Sequence, residues 1–501
     1  MPILFEIYRD GKRVTQFTPI NPVAMGPESV PIPGEVRFEN GHLVVSRTDE
    51  HAVGVALLWE VSETGIYHLE TTRLQPRESP YHLNVELARC RLMKIVQKQE
   101  DWNLFDFPRA DQFAAMFREA QDLFADALGK LHEPAIAASL ADRSLAISVD
   151  LSEQLACFHA ELLLNRRRAA AGIPRHVFAC RVDSTIQNQR YKDTITEQFD
   201  CAVLPMSWKQ LQPDEENFIT EPVDEWVEQL SRKRVPIIAG PLVDLSDMGM
   251  PDWSFIWEHD FDTLRELAYE FVQKVVHRYR KAVNVWNVVA GLHTSNHFTL
   301  SFEQIIELTR LLVAQVKTLL PNARTLVTVT EPFGEYHAKG HTSVPPMLYA
   351  EMVAQAGVNF DAFGLELQMG VPRSGSFSRD LFQISSMLDR FSSTGRPVFV
   401  TAVTAPGRND PDRNDKSEGQ QNPAAAGKWH RPWDSNLQAE WIDAVYKLML
   451  SKPYIESIAW GDLADINPVV PGAGLLDDML KPKPSFKKIQ EFRDQFVRLK
   501  K

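Results

Sequence analysis

Short apolar runs alternate with amphipathic segments over most of this 501-residue chain, and this alternation restricts the fold more than any other feature. From about residue 175 onward, eight apolar runs are separated by segments whose apolar residues recur at helical spacing. Strands that are apolar along their whole length are typical of parallel sheets covered by crossover helices. The pattern therefore predicts the α/β class and a (β/α)8 TIM barrel. The predicted strands are 177–181, 201–204, 235–239, 283–289, 326–330, 362–367, 398–401 and 455–460.

The part of the chain before the predicted barrel shows two other patterns. Alternating runs flank the turn dipeptides Asp10-Gly11 and Asn40-Gly41, which indicate β-hairpins. Helical spacing follows over 83–101, 111–131 and 151–171. We therefore predict a β-rich, sandwich-like domain at 1–75, a helical segment at 76–174 and the barrel at 175–501. The β-rich domain is either a carbohydrate-binding module or a support for the barrel.

The composition indicates which classes of partner to expect for this chain. The net charge is −12, and such an acidic chain lacks the basic surface that binds nucleic acid. No run reaches 18 apolar residues, and the first residues do not resemble a signal peptide, so we expect no membrane partner. The four cysteines form no CxxC pair, which favours free thiols in a reducing compartment. We expect a cytoplasmic protein without a cofactor.

The ends of the predicted strands are where a barrel of this type carries its chemistry, because the loops that follow them share one face. Several of these ends bear carboxylates, amides or tryptophans. The segments are Trp286-Asn287-Val288-Val289-Ala290-Gly291, Thr330-Glu331-Pro332, Gly364-Leu365-Glu366-Leu367-Gln368, Thr401-Ala402 and Trp460-Gly461-Asp462.

These segments resemble glycoside hydrolase family 10, the endo-β-1,4-xylanase family, over roughly residues 175–501. The resemblance implies a (β/α)8 barrel and an oligosaccharide or polysaccharide ligand of the xylan type. Members of the family cleave β-1,4-xylan with retention, using one glutamate as acid/base and another as nucleophile. Other matching segments are Met206-Ser207-Trp208, Gln212-Pro213, Pro251-Asp252-Trp253 and Leu475-Leu476-Asp477-Asp478.

The sequence departs from the family at both catalytic positions. Where the family has its acid/base glutamate after the fourth strand, this chain has Gly291, and where it has its nucleophile after Thr401, this chain has Ala402. Retention requires two carboxyl groups about 5 Å apart. The leading hypothesis is therefore a glycan-recognising relative that is inactive or very weak as a retaining xylanase. The alternatives are an active glycosyl hydrolase with relocated carboxylates and a non-enzymatic scaffold.

Two glutamates are candidates for relocated catalytic groups. Glu331 ends the fifth strand, and Glu366 shares one face of the sixth strand with Gly364 and Gln368. Burial raises the pKa of an unpaired carboxyl group, which makes it a potential general acid. The alternative for Glu366 is an ion pair that closes the barrel.

Tryptophans and polar residues near the strand ends are the candidate sugar-binding residues, because an indole ring stacks on the apolar CH face of a sugar. Trp429 and Trp433 lie in the long polar segment 404–434, where their alternative role is to anchor that segment to the barrel. The other candidates are Trp208, Trp253, Gln368, Trp460 and Asp462.

Four histidines follow the fourth and fifth strands, at His293, His297, His337 and His341. Their spacing matches no metal-binding motif, so we predict hydrogen-bonding loop histidines and no metal site.

Overall fold

A computed structural model describes residues 1–47, 51–104, 110–170, 172–246, 248–294, 298–340, 342–411 and 421–497. Its N-terminal region contains two small sheets and a separate pair of short strands, followed by three helices. The strands are β1 (Ile3–Glu6), β2 (Tyr8–Arg9), β3 (Lys12–Arg13), β4 (Val23–Met25), β5 (Pro31–Ile32), β6 (Glu35–Glu39), β7 (His42–Ser46), β8 (Gly54–Val61), β9 (Gly65–Glu70) and β10 (Tyr81–His82). The helices are α1 (Leu83–Asp101), α2 (Ala110–Gly129) and α3 (Pro134–Ala169).

The strand order in one N-terminal sheet is β10-β1-β7-β6, and β9, β8, β4 and β5 are consecutive neighbours in the other. Asn40 and Gly41 both have positive φ, 51° and 75°, at the turn between β6 and β7. This backbone conformation explains why an Asn-Gly dipeptide occupies the hairpin turn.

Helix α3 is longer than its apolar spacing predicts, because it begins at Pro134 and not near residue 151. Proline suits the first turn of a helix, since the backbone N–H it lacks has no partner there. The early part of α3 buries small residues, Ala137, Ala141, Ser144 and Ser148, which do not show as an apolar stripe in the sequence.

Eight parallel strands form a closed barrel, which confirms the predicted fold. The remaining strands are β11 (Phe178–Arg181), β12 (Cys201–Leu204), β13 (Ile237–Ala239), β14 (Val243–Asp244), β15 (Val285–Ala290), β16 (Arg324–Val329), β17 (Ala362–Gln368), β18 (Val398–Thr404), β19 (Lys428–Trp429) and β20 (Ile455–Trp460). The remaining helices are α4 (Gln189–Gln198), α5 (Trp208–Leu211), α6 (Glu221–Arg232), α7 (Phe261–Tyr279), α8 (Phe302–Leu319), α9 (Pro346–Gln355), α10 (Leu381–Ser392), α11 (Ser435–Ser451) and α12 (Pro484–Val497).

The barrel strands follow chain order, β11-β12-β13-β15-β16-β17-β18-β20, and β20 pairs with β11 to close the cylinder. β14 is a short addition that pairs with β15 just beyond β13. On β17, Gly364 passes so close to Thr328 that a Cβ atom would overlap the threonine hydroxyl. Thr328 donates from Oγ1 to Oδ1 of Asn287 at 2.7 Å, so this level of the barrel is tightly packed.

The segment after β18 joins the barrel to the N-terminal region. Within its described part, β19 pairs antiparallel with β9 and so extends an N-terminal sheet. Trp429 donates from Nε1 to Oε1 of Glu153 at 2.9 Å, and the same carboxylate oxygen accepts from the backbone N–H of Leu381. No helix in the described parts of the chain is both long and apolar enough to cross a membrane.

Glu335, in the loop after β16, forms a second junction with the N-terminal region. The residue is 1% exposed. It pairs with Arg379 and accepts hydrogen bonds from Asn21 Nδ2 and from the backbone N–H of Gly375. Burial by itself raises the pKa of Glu335, but Arg379 and these hydrogen bonds outweigh it and lower the pKa to about 2. The imidazole of His68 lies 3.9 Å away and donates from Nε2 to the Asn21 carbonyl.

We expect Glu335→Gln to lower the free energy of unfolding by about 3–5 kcal/mol, because it leaves the buried Arg379 without its counter-charge. The folded pKa lies below the usual value of 4.5, so this stabilisation is present above pH 4.5 and is lost as the pH falls towards 2. Urea denaturation at pH 7 and at pH 3 measures both effects. The matched control is Glu60→Gln, at an exposed position. Equal losses in the two variants would contradict the assigned role of Glu335.

Candidate functional site

Glu366 and Gln368 are the two half-buried residues of β17, whose other residues are fully buried. Gln368 accepts a hydrogen bond from the guanidinium of Arg373. The Glu366 carboxylate has no hydrogen bond from any described residue. Its pKa is raised chiefly by burial, and nearby Asp244 adds to the shift while Arg181 and Arg373 oppose it. The structure therefore brings two acids and two arginines together at the carboxyl end of the barrel, which we call the mouth.

Carboxylates from neighbouring strands stand beside Gly291 and Ala402. Glu366 is the register partner of Ala402 on the adjacent strand. Asp244 is the register partner of Ala290, and a Cβ atom placed on Gly291 would lie 3.2 Å from Oδ1 of Asp244. Side chains in register on adjacent strands point to the same side of a sheet. Gly291 and Ala402 therefore each have an acid one strand away.

Asp244 is a mouth residue that the sequence analysis missed. Its Oδ1 accepts from the backbone N–H of Ser246 at 2.9 Å, and burial raises its pKa. A Cβ on Gly249 would meet Cγ of Asp244 at 2.9 Å, so the aspartate is closely packed. The signal in the sequence is a carboxylate that follows the third predicted strand, 235–239.

Glu331, the other predicted acid, lies at the end of β16 in the left-handed region, with φ 45°. Burial raises its pKa to about 7, against the opposing charge of Arg373, and Oε2 has no hydrogen-bond partner among the described residues. Glu331 packs against Gly375, where a Cβ would approach Oε2 to 3.0 Å. The positive charge of Arg373 opposes the rise in pKa of both Glu331 and Glu366.

A polar cavity of about 250 Å³ opens beside the ends of β11, β12 and β20. Asp462 lines it, as predicted for a residue after the eighth strand; its Oδ1 lies 3.7 Å from Arg181 Nη2, and burial raises its pKa to about 6. Asn467 donates to Asp183 at 3.1 Å across the cavity, and Gln210 donates to the hydroxyl of Ser184. The lining combines hydrogen-bonding groups and apolar residues in about equal measure, and we call this cavity the polar pocket.

The structure differs from the expectation that tryptophans offer open faces to a sugar. Trp208 and Trp460 are buried, and their indole N–H groups donate within the protein, to Gln212 Oε1 and the Ala473 carbonyl. Trp429 and Trp433 are also buried, in the segment that packs on the barrel.

Trp253 is half-buried, and its Nε1 donates to the Gln212 carbonyl at 3.0 Å. Packing in the core explains these positions better than stacking does, because a large apolar ring gains most when it is fully covered.

Segment 404–434 lies in part outside the described residues, at 412–420. Its described parts contact the edge of the mouth at Gly370, where an added Cβ would overlap Pro406 and approach Trp433 Nε1 to 3.5 Å. The segment then continues to the N-terminal sheet through β19.

Of the four predicted loop histidines, the structure describes His293 and His337, and both make contacts within the protein. His293 is fully buried, is stacked on Tyr349 at 4.8 Å and has its pKa lowered to about 4, chiefly by burial. His337 bonds to the hydroxyl of Ser343 at 3.0 Å. His297 and His341 lie outside the described residues. Within the described ranges, no group of three or more acidic, histidine or cysteine side chains has the geometry to hold a metal ion.

Comparison with known proteins shows what part of the chain is similar to a known family. Residues 167–318 match the model of glycosyl hydrolase family 10. This match confirms the resemblance to family 10. The matched range contains the polar pocket residues Arg181 and Gln210, together with Asp244 and Gly291.

Solved family-10 structures are also similar to the chain. Xylanase 10B from Thermotoga maritima is 16% identical, with a TM-score of 0.49, over 66% of this chain and 98% of that one. Xylanase 10B from Thermotoga petrophila RKU-1, solved in complex with xylobiose, is 17% identical, with a TM-score of 0.48, over 64% and 94%. No curated protein sequence matches the chain.

We expect the stability of the protein to fall as the pH rises from 5 to 8 partly because of Glu331. Its folded pKa of about 7 exceeds the usual 4.5, so the folded state holds a proton that the unfolded state releases in this range. The loss reaches up to about 3 kcal/mol. In Glu331→Gln this loss of stability should be absent. Urea denaturation of the variant and the wild type at pH 5 and pH 8 measures the free energies of unfolding to be compared. Identical pH dependence in the variant, the wild type and Glu60→Gln would refute a protonated Glu331.

Proposed function

We propose that this chain recognises β-1,4-linked glycans of the xylan type at the mouth of its family-10-like barrel, without the retaining chemistry of the family. The observation that carries the proposal is the polar pocket beside the ends of β11, β12 and β20. Sugar hydroxyls both donate and accept hydrogen bonds, and the pocket offers guanidinium and amide donors together with carboxylate acceptors. Its volume of about 250 Å³ is near the lower end of small-ligand sites.

The retaining reaction lacks its groups in this chain. Glycine and alanine occupy the two positions, and neither can protonate a leaving oxygen or attack an anomeric carbon. Asp244 and Glu366 stand one strand away from those positions, where they can accept or donate hydrogen bonds to a bound sugar. Because their pKa values are raised, these acids are suited to contact hydroxyl groups as donors as well as acceptors.

Calorimetric titration with xylobiose and xylotriose tests recognition directly. We expect saturable binding to the full chain, and Asp462→Asn should weaken it by about tenfold, as expected when a charged hydrogen-bond partner is lost. The matched control is Asp126→Asn, which makes the same change at an exposed position of α2 and should bind like the wild type. Absence of binding at millimolar xylotriose, or equal affinities in both variants, would overturn the proposal.

A second candidate function is hydrolysis with inversion by Asp244 and Glu366. It is favoured by the placement of one carboxylate beside each replaced catalytic position. Inversion uses one protonated carboxyl as acid and one carboxylate as base, about 6.5–9.5 Å apart, with water between the base and the sugar. The mutual electrostatic effect of the two acids favours a state in which only one of them is ionised.

Reducing-sugar release from xylotriose, with the first-formed anomer followed by NMR, separates the two candidates. If hydrolysis occurs at the relocated pair, Asp244→Asn and Glu366→Gln should each lower the rate by at least about a hundredfold, while Asp126→Asn does not. The product should form first as the α-anomer. A β-anomer, or release that persists in both variants, would exclude this mechanism; binding without release would leave recognition as the function.

A further inference from the structure

We propose that a cavity between the N-terminal region and the barrel binds a small organic carboxylate with an apolar body. This cavity, called the junction cavity here, has a volume of about 340 Å³. Its walls come from α1, α10, the strands around Met25 and the loop that follows β16. It lies outside the mouth and the polar pocket, so the inference does not rest on the proposed glycan function.

Two guanidinium groups at this cavity have unused hydrogen-bonding capacity. Arg390, on α10, is half-buried, and its guanidinium forms no hydrogen bond or ion pair with a described residue. Arg379 is 4% exposed; it pairs with Glu335, but its Nη1 has no partner among the described residues. Buried donors are normally satisfied, and an arginine fork is complementary to a carboxylate. The unused donors therefore indicate an anionic partner.

The charges around the cavity favour a single negative charge on the ligand. Glu70 lines the cavity but is paired with Lys94, and Glu335 is paired with Arg379. Glu28 is exposed at the edge and reaches Arg390 only through its electrostatic field. The lining holds four cations and three acids, so one positive charge is left over, and this balances a monocarboxylate better than a doubly charged phosphate.

The rest of the lining determines the body of the ligand. Phe382, Met387 and Met25 are buried apolar walls, and Phe333 and Pro332 complete this side. Ser386 also lines the cavity, and its buried hydroxyl has no hydrogen-bond partner among the described residues. Exposed Gln97 lies at the outer edge, so the cavity opens to solvent there. An aromatic or short aliphatic body fits these walls, since burial of apolar surface adds affinity.

Calorimetric titration of the full chain with phenylacetate tests the inference, and neutral phenylacetamide and inorganic phosphate are the comparison ligands. We expect saturable binding of one phenylacetate per chain, with an increase in thermal midpoint. Phenylacetamide should bind at least about tenfold more weakly, because it lacks the charge that pairs with arginine. Phosphate that binds more tightly than phenylacetate would overturn the carboxylate assignment, and no phenylacetate binding at millimolar concentration would overturn the site.

Two variants locate the binding. Arg390→Gln should weaken phenylacetate binding about tenfold or more, and Ser386→Ala should weaken it by a smaller factor. The matched control is Arg118→Gln, which removes one positive charge at an exposed position of α2. If Arg390→Gln does not fold, Ser386→Ala and the amide comparison still decide the question. Affinities in Arg390→Gln and Ser386→Ala that equal those of the wild type and Arg118→Gln would refute the junction cavity as the site.

Discussion

The buried ion pair between Glu335 and Arg379 is the contact on which the arrangement of the N-terminal region against the barrel depends. A carboxylate at 1% exposure is costly unless charge and hydrogen bonds compensate for its lost water. Its partners come from separate places: Asn21 from the N-terminal region, and Gly375 and Arg379 from the segment before α10. The hydrogen bond from Asn21 therefore ties the loop after β16 to the N-terminal region. These contacts favour a supporting role for that region.

The same loop connects the mouth, the junction cavity and the junction at Glu335. It begins at Glu331 beside the mouth, passes Phe333 in the junction cavity and reaches Glu335 at the junction. The acids of the mouth experience a different environment from Glu335. Burial outweighs the opposing charge of Arg373 and raises the pKa of Glu331 to about 7, whereas paired Arg379 outweighs burial and lowers the pKa of Glu335 to about 2. Two glutamates four residues apart thus serve opposite purposes, one as a proton-holding group and one as a permanent charge.

Much of the barrel could be predicted from the sequence, because each strand or helix leaves a local pattern. The predicted strands 201–204 and 455–460 coincide with β12 and β20, and the predicted helix 83–101 coincides with α1. The start of α3 could not be predicted in this way, since its first turns bury alanine and serine rather than large apolar residues. The burial of the tryptophans could not be predicted in this way either: Trp208 and Trp460 match family positions, and their rings are covered.

The sequence by itself determined the alternation that makes a (β/α)8 barrel, and it predicts that Gly291 and Ala402 stand where family 10 has its catalytic glutamates. Both are properties of short stretches of chain, and each can be read without knowing what lies opposite. Only the tertiary structure decided which carboxylates stand beside those positions. Asp244 and Glu366 reach them through the register of parallel strands that are neighbours across the barrel wall, although more than 30 residues separate each acid from the position it adjoins. Strand pairing and barrel closure set that register, and no local pattern encodes it.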